Sequence, residues 1–503
     1  MKEKDDLFLL IHSLKKHEKR FFKLSASTQQ GDTLYMRIYD LIASQKEYDE
    51  DMVREKMDLN KNIFAYKKNY LFNLILEKMA VLHSDPRAEL RRILTQADFL
   101  FERALYSQQS KILSKAKKIA QELDLTSYQH EILNMELTLA RKRKDLDLSL
   151  RVMEEDKVII SKLALEGEYQ KLKNEIIVKI QKTGAPHNEK DKKELEDLVN
   201  HPLMRDEKHA KTFRCRNWMC HALSLYYAVT GNVQKEYYYA KKNINLFLAD
   251  PKIVEQNLPD YLFGLYLIIG ACNSMKKYEE AKHYIDLLEE VSHRSAEGDK
   301  LWVFFNYYDS CMVYFTNTGK FKEGIPVAQK LEGELHEFEG KLNTFQNIIL
   351  RYCLANFYFY GDDWSNCIRW LNKIRNEEEA LRIRPDLESA IKILYLLAHY
   401  EKGNLELVHN LSLSVHRFLS TKQRLYKFEG ILLKFLKKDI FKVSLQKEKV
   451  ALFKQLHKEF LPLAKDPEEN EPFREFDYIS WLESKIENRP FAEVVREKAE
   501  KLQ

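Results

Sequence analysis

Of the side chains in this 503-residue sequence that could do chemistry, the cysteines and histidines come first. Cys215, Cys220 and His221 stand close together, but their spacing does not match the ligand pairs of zinc modules, so no metal site is expected. Cys272, Cys311, Cys353 and Cys367 are scattered, and the six cysteines contain no C-x-x-C pair. That usage fits reduced thiols and a cytoplasmic setting. The chain has no phosphate-cradling Gly-rich loop, no His-Glu-x-x-His pair, no Gly-x-Ser-x-Gly elbow and no dinucleotide fingerprint. Carboxylate pairs are common, but helical proteins carry them on solvated faces. The expectation is a non-enzymatic protein that needs no cofactor.

A basic, aromatic run offers a second chemistry. Lys15, Lys16, Lys19, Arg20 and Lys23 accompany Phe21 and Phe22, with Glu18 the one acid among them. Such a run could meet phosphate oxygens while a phenylalanine stacks on a base. The plainer reading, which is preferred, buries the phenylalanines and leaves the lysines as ordinary surface. Helical stretches at 33–44, 49–57 and 61–83 have lengths that fit a helix-turn-helix module. Lys61, Lys67 and Lys68 would then stand near the start of its recognition helix. A second basic zone, Arg424 to Lys458, precedes an acidic, Pro-bounded linker at Asp466–Pro472. A net charge of +5 is too small on this length to imply a polyanion partner by itself.

The elements that must position these groups are helices. Apolar residues make up 45% of the chain and charged residues 32%, with only 14 Gly and 11 Pro. Few helix breakers and few alternating Val/Ile runs predict an all-α fold. No signal peptide is read at the N-terminus, and the most apolar stretch, Phe263 to Cys272, is far shorter than the roughly 20 residues that span a bilayer. Helices are expected over 5–24, 88–106, 109–123, 127–142, 145–155 and 157–182. Asp85-Pro86 breaks the pattern, and Thr183 to Asn188 is the best internal boundary by Gly/Pro content. Beyond 420, helices are expected near 422–438, 445–464, 473–487 and 491–502.

The clearest unit is Tyr261–Val291. Leu262, Leu265, Ile268, Ile269 and Cys272 share one face of a first helix. A polar turn at Asn273–Lys277 follows, then Tyr278, Ala281, Tyr284, Ile285, Leu288 and Val291 form a second stripe. Neither helix can bury its stripe alone, and similar units recur. The apolar landmarks Val233, Tyr278, Phe321, Trp364 and Leu405, each just after a polar turn, lie 45, 43, 43 and 41 residues apart. Periods of this size mark helical repeat arrays. Three residues beyond each landmark stand Glu236, Ala281, Gly324, Cys367 and Val408. Four of these are small or apolar, as close helix packing demands, and Glu236 breaks the column.

Gly-Lys-Phe-Lys-Glu-Gly at 319–324 and Lys-Lys-Tyr-Glu-Glu-Ala at 276–281 resemble the inter-helix turn of tetratricopeptide (TPR) repeats. The units are longer than that family's usual length of about 34 residues. The likeness covers some 210 residues. It implies an α-solenoid of TPR-like helix-turn-helix repeats with helical N- and C-terminal regions. Residues 1–83 form the basic N-terminal region, 84–185 helical hairpins, 186–420 the array, with five units from about 210, and 421–503 a C-terminal cap. Aligned on the turn, Leu223, Ile268, Cys311, Leu354 and Tyr395 form one inward column. Tyr227, Cys272, Phe315, Tyr358 and His399 form another, so His399 reads as structural rather than as a base.

In such arrays the first helices line a concave groove whose ligands are usually peptides. The resemblance places Trp218, His221, Tyr266, Asn273, Asn306, Asp309, Tyr352, Asn356 and Tyr400 there. Aromatics and amides suit peptide capture. The lysines of a carboxylate clamp are not in matching places. The expected function is a cytoplasmic scaffold or adaptor that binds a protein segment, with no membrane partner. The alternative is a nucleic-acid-associated factor with a basic N-terminal head. The sequence leaves the partner and the oligomeric state open.

Overall fold

The computed structural model describes residues 5–27, 33–82, 86–184, 186, 189–249, 251–292, 297–338, 341–375, 385–421, 426–439, 445–466 and 469–502. Asp85, three residues of the expected 183–188 boundary (Ala185, His187, Asn188), Arg424 and the linker residues Pro467 and Glu468 lie outside them. The described backbone is helical and contains no strand, so the fold is all-α. Its contacts divide the chain into two compact units, 1–163 and 164–503.

The first unit opens with α1 (Asp6–Ser13), α2 (Lys16–Ser27), α3 (Thr33–Ala43), α4 (Glu50–Met57) and α5 (Lys61–Leu82). A single helix was expected over 5–24. Instead the chain turns extended at Leu14, with ψ 132°. The Lys15 N–H donates to Glu18 Oε2 at 2.5 Å as α2 begins. The break lets Leu7, Ile11, Leu14 and Phe22 enter one core with Tyr39, Val53, Phe64 and Leu71. Helices α6 (Pro86–Glu102), α7 (Tyr106–Glu122), α8 (Thr126–Arg143) and α9 (Leu146–Thr183) follow. No break occurs near 156, where neither Gly nor Pro stands, and α9 runs unbroken for 38 residues. It holds the division between the units and ends where Gly184 takes φ +66°.

In the second unit α10 (Glu189–Val199) and α11 (Pro202–Arg205) lead into paired helices. These are α12 (Phe213–Val229) with α13 (Val233–Leu248), then, after α14 (Pro251–Gln256), α15 (Leu258–Ser274) with α16 (Tyr278–Ser292). Next come α17 (Glu297–Thr318) with α18 (Phe321–Glu337), α19 (Thr344–Tyr360) with α20 (Trp364–Arg375), and α21 (Pro385–Glu401) with α22 (Leu405–Thr421). Partners pack on each other and on neighbouring pairs: α13 on α15, α16 on α17, α17 on α19 and α20 on α21.

One turn recurs between the partners. Gly231, Lys276, Gly319, Asp362 and Gly403 all adopt the left-handed region, with φ between 58° and 80°. The next N–H reaches back five residues to a carbonyl, as in Asn232 to Tyr227 (3.0 Å), Lys277 to Cys272 (2.8 Å), Asp363 to Tyr358 (2.9 Å) and Asn404 to His399 (3.0 Å). This is the Schellman closure, which satisfies carbonyls that a helix end leaves unpaired. Each apolar landmark is the first residue of the following helix. Ala281, Cys367 and Val408 are fully buried, Gly324 is buried too, and an added Cβ there would lie 2.6 Å from the Phe357 ring. Glu236 is also buried, its Oε1 accepting from Ser274 Oγ at 3.2 Å.

The C-terminal part comprises α23 (Lys427–Lys434) with a π-helical turn at Phe435–Asp439, then α24 (Gln446–Leu463), α25 (Glu471–Glu475), α26 (Tyr478–Glu487) and α27 (Phe491–Glu500). The helix expected over 473–487 is split, because Phe476 is extended and Asp477 caps α26 through Ser480 N. This segment runs back over the turns of several pairs rather than only over the last one. Arg474 Nη1 donates to Ala228 O (3.3 Å), Asp477 N to Tyr360 Oη (2.8 Å) and Arg496 Nη2 to Gly319 O (3.0 Å). Trp481 Nε1 and Lys485 Nζ both reach Glu401 at 2.6 Å.

Two predictions follow from these contacts. A Cβ at Gly319 would sit 2.6 Å from Ala492 O and 2.8 Å from Arg496 N, at φ +64°. Gly319→Ala should therefore lower the free energy of unfolding by roughly 2 kcal/mol or more and expose 470–502 to faster amide exchange. Burial pushes the Glu236 carboxyl up to about 7, while Ser274 and then Arg474 pull it down. A folded-state pKa above the unfolded one stabilises below the unfolded value of about 4.3 and loses that benefit as pH rises through the folded value. Glu236→Gln should remove this decline between roughly pH 4 and 7 and unfold at higher denaturant than the wild type at pH 8.

Candidate functional site

The first helices of the pairs carry a continuous row of aromatic and polar side chains. Trp218 on α12 is half-buried, with Lys173 Nζ of α9 5.5 Å from its ring centroid. His221, one turn on, is buried and stacks on Phe263 of α15 at 3.9 Å and 24°. Burial, then the Lys173 charge, pushes its imidazole down to about 3. The neutral ring is thus a stacking element, and the expected exposure is corrected, because Phe263 covers it. Phe263 meets Trp302 of α17 at 6.0 Å, and Trp302 lies edge-on to Tyr266 at 6.4 Å and 78°.

Beyond Trp302 the row becomes polar. Asp309, one face of α17 further along, accepts from the Cys353 thiol of α19 at 3.3 Å. Burial raises the Asp309 carboxyl to about 6, with the thiol pulling the other way. The Tyr266 hydroxyl is held un-ionised by burial and then by Asp309, its neighbour in charge. Tyr352 is buried, its hydroxyl pushed up by burial and then by the Glu475 carboxylate, and Asn356 bonds to it. The Cys353 thiol is likewise raised by burial and by Asp309.

Of the nine expected groove residues, Tyr266 and Asp309 therefore come together with Cys353, and Tyr352 and Asn356 lie next to Cys353 on α19. The others divide. Asn273 and Asn306 turn their amides onto their own helices, donating to Ile269 O (3.1 Å) and Trp302 O (2.7 Å). Asn306 is buried, so it presents little surface to a partner. Tyr352 is buried too, and contributes its hydroxyl rather than an open ring face. Tyr400 lies edge-on to Trp481 of α26 at 6.4 Å, beneath the returning C-terminal segment. Phe263, Trp302 and Cys353 were missed. Phe263 and Trp302 share faces with Tyr266 and Asn306 at i+3 and i+4 spacing, a signal that would have found them.

The basic N-terminal candidates separate by partner. Lys16, Arg20 and Lys61 are exposed, and Lys15 and Lys19 stand beside them, the latter half-buried. Lys23 pairs with Asp40 at 2.7 Å. Lys67 donates to Tyr35 Oη at 3.0 Å and lies 4.5 Å from that ring's centroid. Lys68 is held by Asp5 and, at 2.8 Å, by Glu50. Phe22 is fully buried against Tyr39 and Phe21 is half-buried, so Phe22 cannot serve as a stacking platform.

Among the described residues, no group of three His, Cys, Asp or Glu side chains is placed to hold a metal ion, and no helix is long and apolar enough to cross a membrane. Cys215 and Cys220 are buried thiols outside any disulfide. The structure defines an all-α protein of paired helices with a shared aromatic-to-polar row. No protein-family model and no curated protein matches this chain.

The Asp309 carboxyl gives a test. Raised above the unfolded value of about 3.9, it stabilises below that pH and loses its contribution as pH climbs towards 6. Asp309→Asn should flatten that part of the profile, gaining about 2 kcal/mol over the wild type at pH 7.5 and nothing at pH 3.5 in urea unfolding.

Proposed function

We propose that residues from about 210 to 420 form a TPR-like α-solenoid, and that the protein is a non-enzymatic cytoplasmic scaffold or adaptor. In this reading it binds an extended protein segment along the first helices of its pairs. The observation that carries it is the chain of ring contacts from His221 through Phe263 and Trp302 to Tyr266, with Trp218 one turn from His221 and the Cys353–Asp309 hydrogen bond beyond. Rigid aromatics offer area at low entropy cost, and amides pair with a peptide backbone. The regular left-handed turns and buried small residues support repeat stacking, in which each pair contacts its neighbours. Six cysteines, none of them in a disulfide, fit a reducing compartment.

Replacing Tyr266, Trp302 and Asn356 together by Ala should abolish partner capture in native pull-downs read by mass spectrometry, with the helical circular dichroism retained. Undiminished capture by a folded triple variant would sink the proposal. The alternative, a nucleic-acid-associated factor with a basic head, draws on Lys16, Arg20 and Lys61. It is weakened by the burial of Phe22 and by the acid partners of Lys23 and Lys68. The same pull-down run with nuclease separates the two.

A further inference from the structure

We propose that the recess formed by Tyr266, Asp309, Tyr352, Cys353 and Asn356 receives one cationic side chain, a lysine or arginine, of the bound segment. This rests on the groove reading and names what that groove selects.

Acceptors outnumber donors around Asp309. An ionised carboxylate has about four lone-pair sites. Asp309 is given one donor, the Cys353 thiol at 3.3 Å, and a thiol is a weak one. Asn356 Oδ1 is buried and has no hydrogen-bond partner. It lies one helical turn from Cys353, and its amide bonds to Tyr352. The tyrosine hydroxyls nearby, kept neutral by burial, can accept as well. Among the described residues no lysine or arginine pairs with Asp309.

The other carboxylates of this unit that sit between helices differ. Glu280 accepts from Lys241 (2.5 Å) and Tyr237 (2.8 Å). Glu332 accepts from Tyr358, Arg369 and Trp370, all within 2.9 Å. Glu401 is held by Lys485 and Trp481, each at 2.6 Å. Each of these has a lysine or arginine of the chain itself as a partner. Among the described residues Asp309 has no such partner; Glu236 also lacks one but is more deeply buried. Asp309 is only half-buried, and its charge acts on Tyr266, which meets Trp302 edge-on.

A carboxylate, an unpaired amide oxygen and aromatic faces together are acceptors that need a donor-rich ligand. An ammonium brings three N–H groups and a guanidinium five, neither with an acceptor, and both are attracted to aromatic faces. An acidic segment would add charge beside Asp309 and leave the amide oxygen unmet. A neutral apolar side chain would desolvate the carboxylate with no compensating bond.

The test selects phage displaying random linear heptapeptides on the full-length protein and on Asp309→Asn, which keeps the side-chain shape. The selected wild-type peptide is then compared with its norleucine counterpart by fluorescence anisotropy. Enrichment of Lys or Arg at one position is expected on the wild type and not on the variant. Norleucine should weaken binding about tenfold or more on the wild type, equivalent to ~1.4 kcal/mol, and hardly at all on the variant. Peptides without basic enrichment that still lose binding to Trp302→Ala would overturn the cation recess and leave the groove standing. No selection above background would overturn both. If Asp309→Asn does not fold, Asn356→Asp decides: tighter binding of the basic peptide supports the recess, and unchanged binding refutes it.

Discussion

A left-handed residue at the end of a helix is the constraint on which the second unit depends. At Gly231, Lys276, Gly319, Asp362 and Gly403 a single positive φ reverses the chain. In at least four of these turns the following N–H closes back onto the preceding helix. Such a turn caps one helix and starts the next within two residues, leaving little freedom in the angle between them. Partners so fixed present complementary stripes, and burial of Ala281, Gly324, Cys367 and Val408 sets how closely they approach. In the first unit Ala104, Asp124 and Lys144 make the same turn, with the same five-residue closure, at half the spacing. A non-glycine residue in this conformation costs about 1 kcal/mol, which the paired helices must hold in place.

These turns also present backbone to the C-terminal segment. At two of the glycine turns the segment comes close: Arg474 packs against Gly231, and Arg496 with Ala492 packs against Gly319, whereas an added Cβ at Gly403 would meet nothing. Glu236 belongs to the same contact. It is the one acid in a column of small or apolar residues, and its charge finds Arg474, more than two hundred residues later in the chain.

The row on the first helices is built on another balance. His221, Tyr266, Tyr352 and Cys353 are all kept neutral by burial. The row's own side chains are therefore polar in shape and low in charge, with Asp309 the exception, while Lys173 and Glu475 bring charge to it from neighbouring elements. In surroundings of low dielectric one carboxylate without a counter-charge dominates the local potential. That gives the recess a preference in charge that a solvated groove of the same residues would lack.

Sequence alone determined the helical class, the repeat spacing and the columns of small and large residues. These are local: apolar periodicity needs only one helix, and a polar turn before a large apolar residue marks each reversal. It also placed Tyr266, Asp309, Tyr352 and Asn356 on one side of their helices. The breaks at Leu14 and Phe476 were hidden, since each follows from what the two halves bury rather than from Gly or Pro. Tertiary structure decided which face residues remain available. Stacking by Phe263 withdrew His221, the helix's own carbonyl claimed the Asn306 amide, and Trp481 covered Tyr400. It also joined Cys353 to Asp309 and Arg474 to Glu236. A hydrogen bond across 44 positions and an electrostatic influence across 238 leave no periodicity behind, because they depend on how whole helices stack.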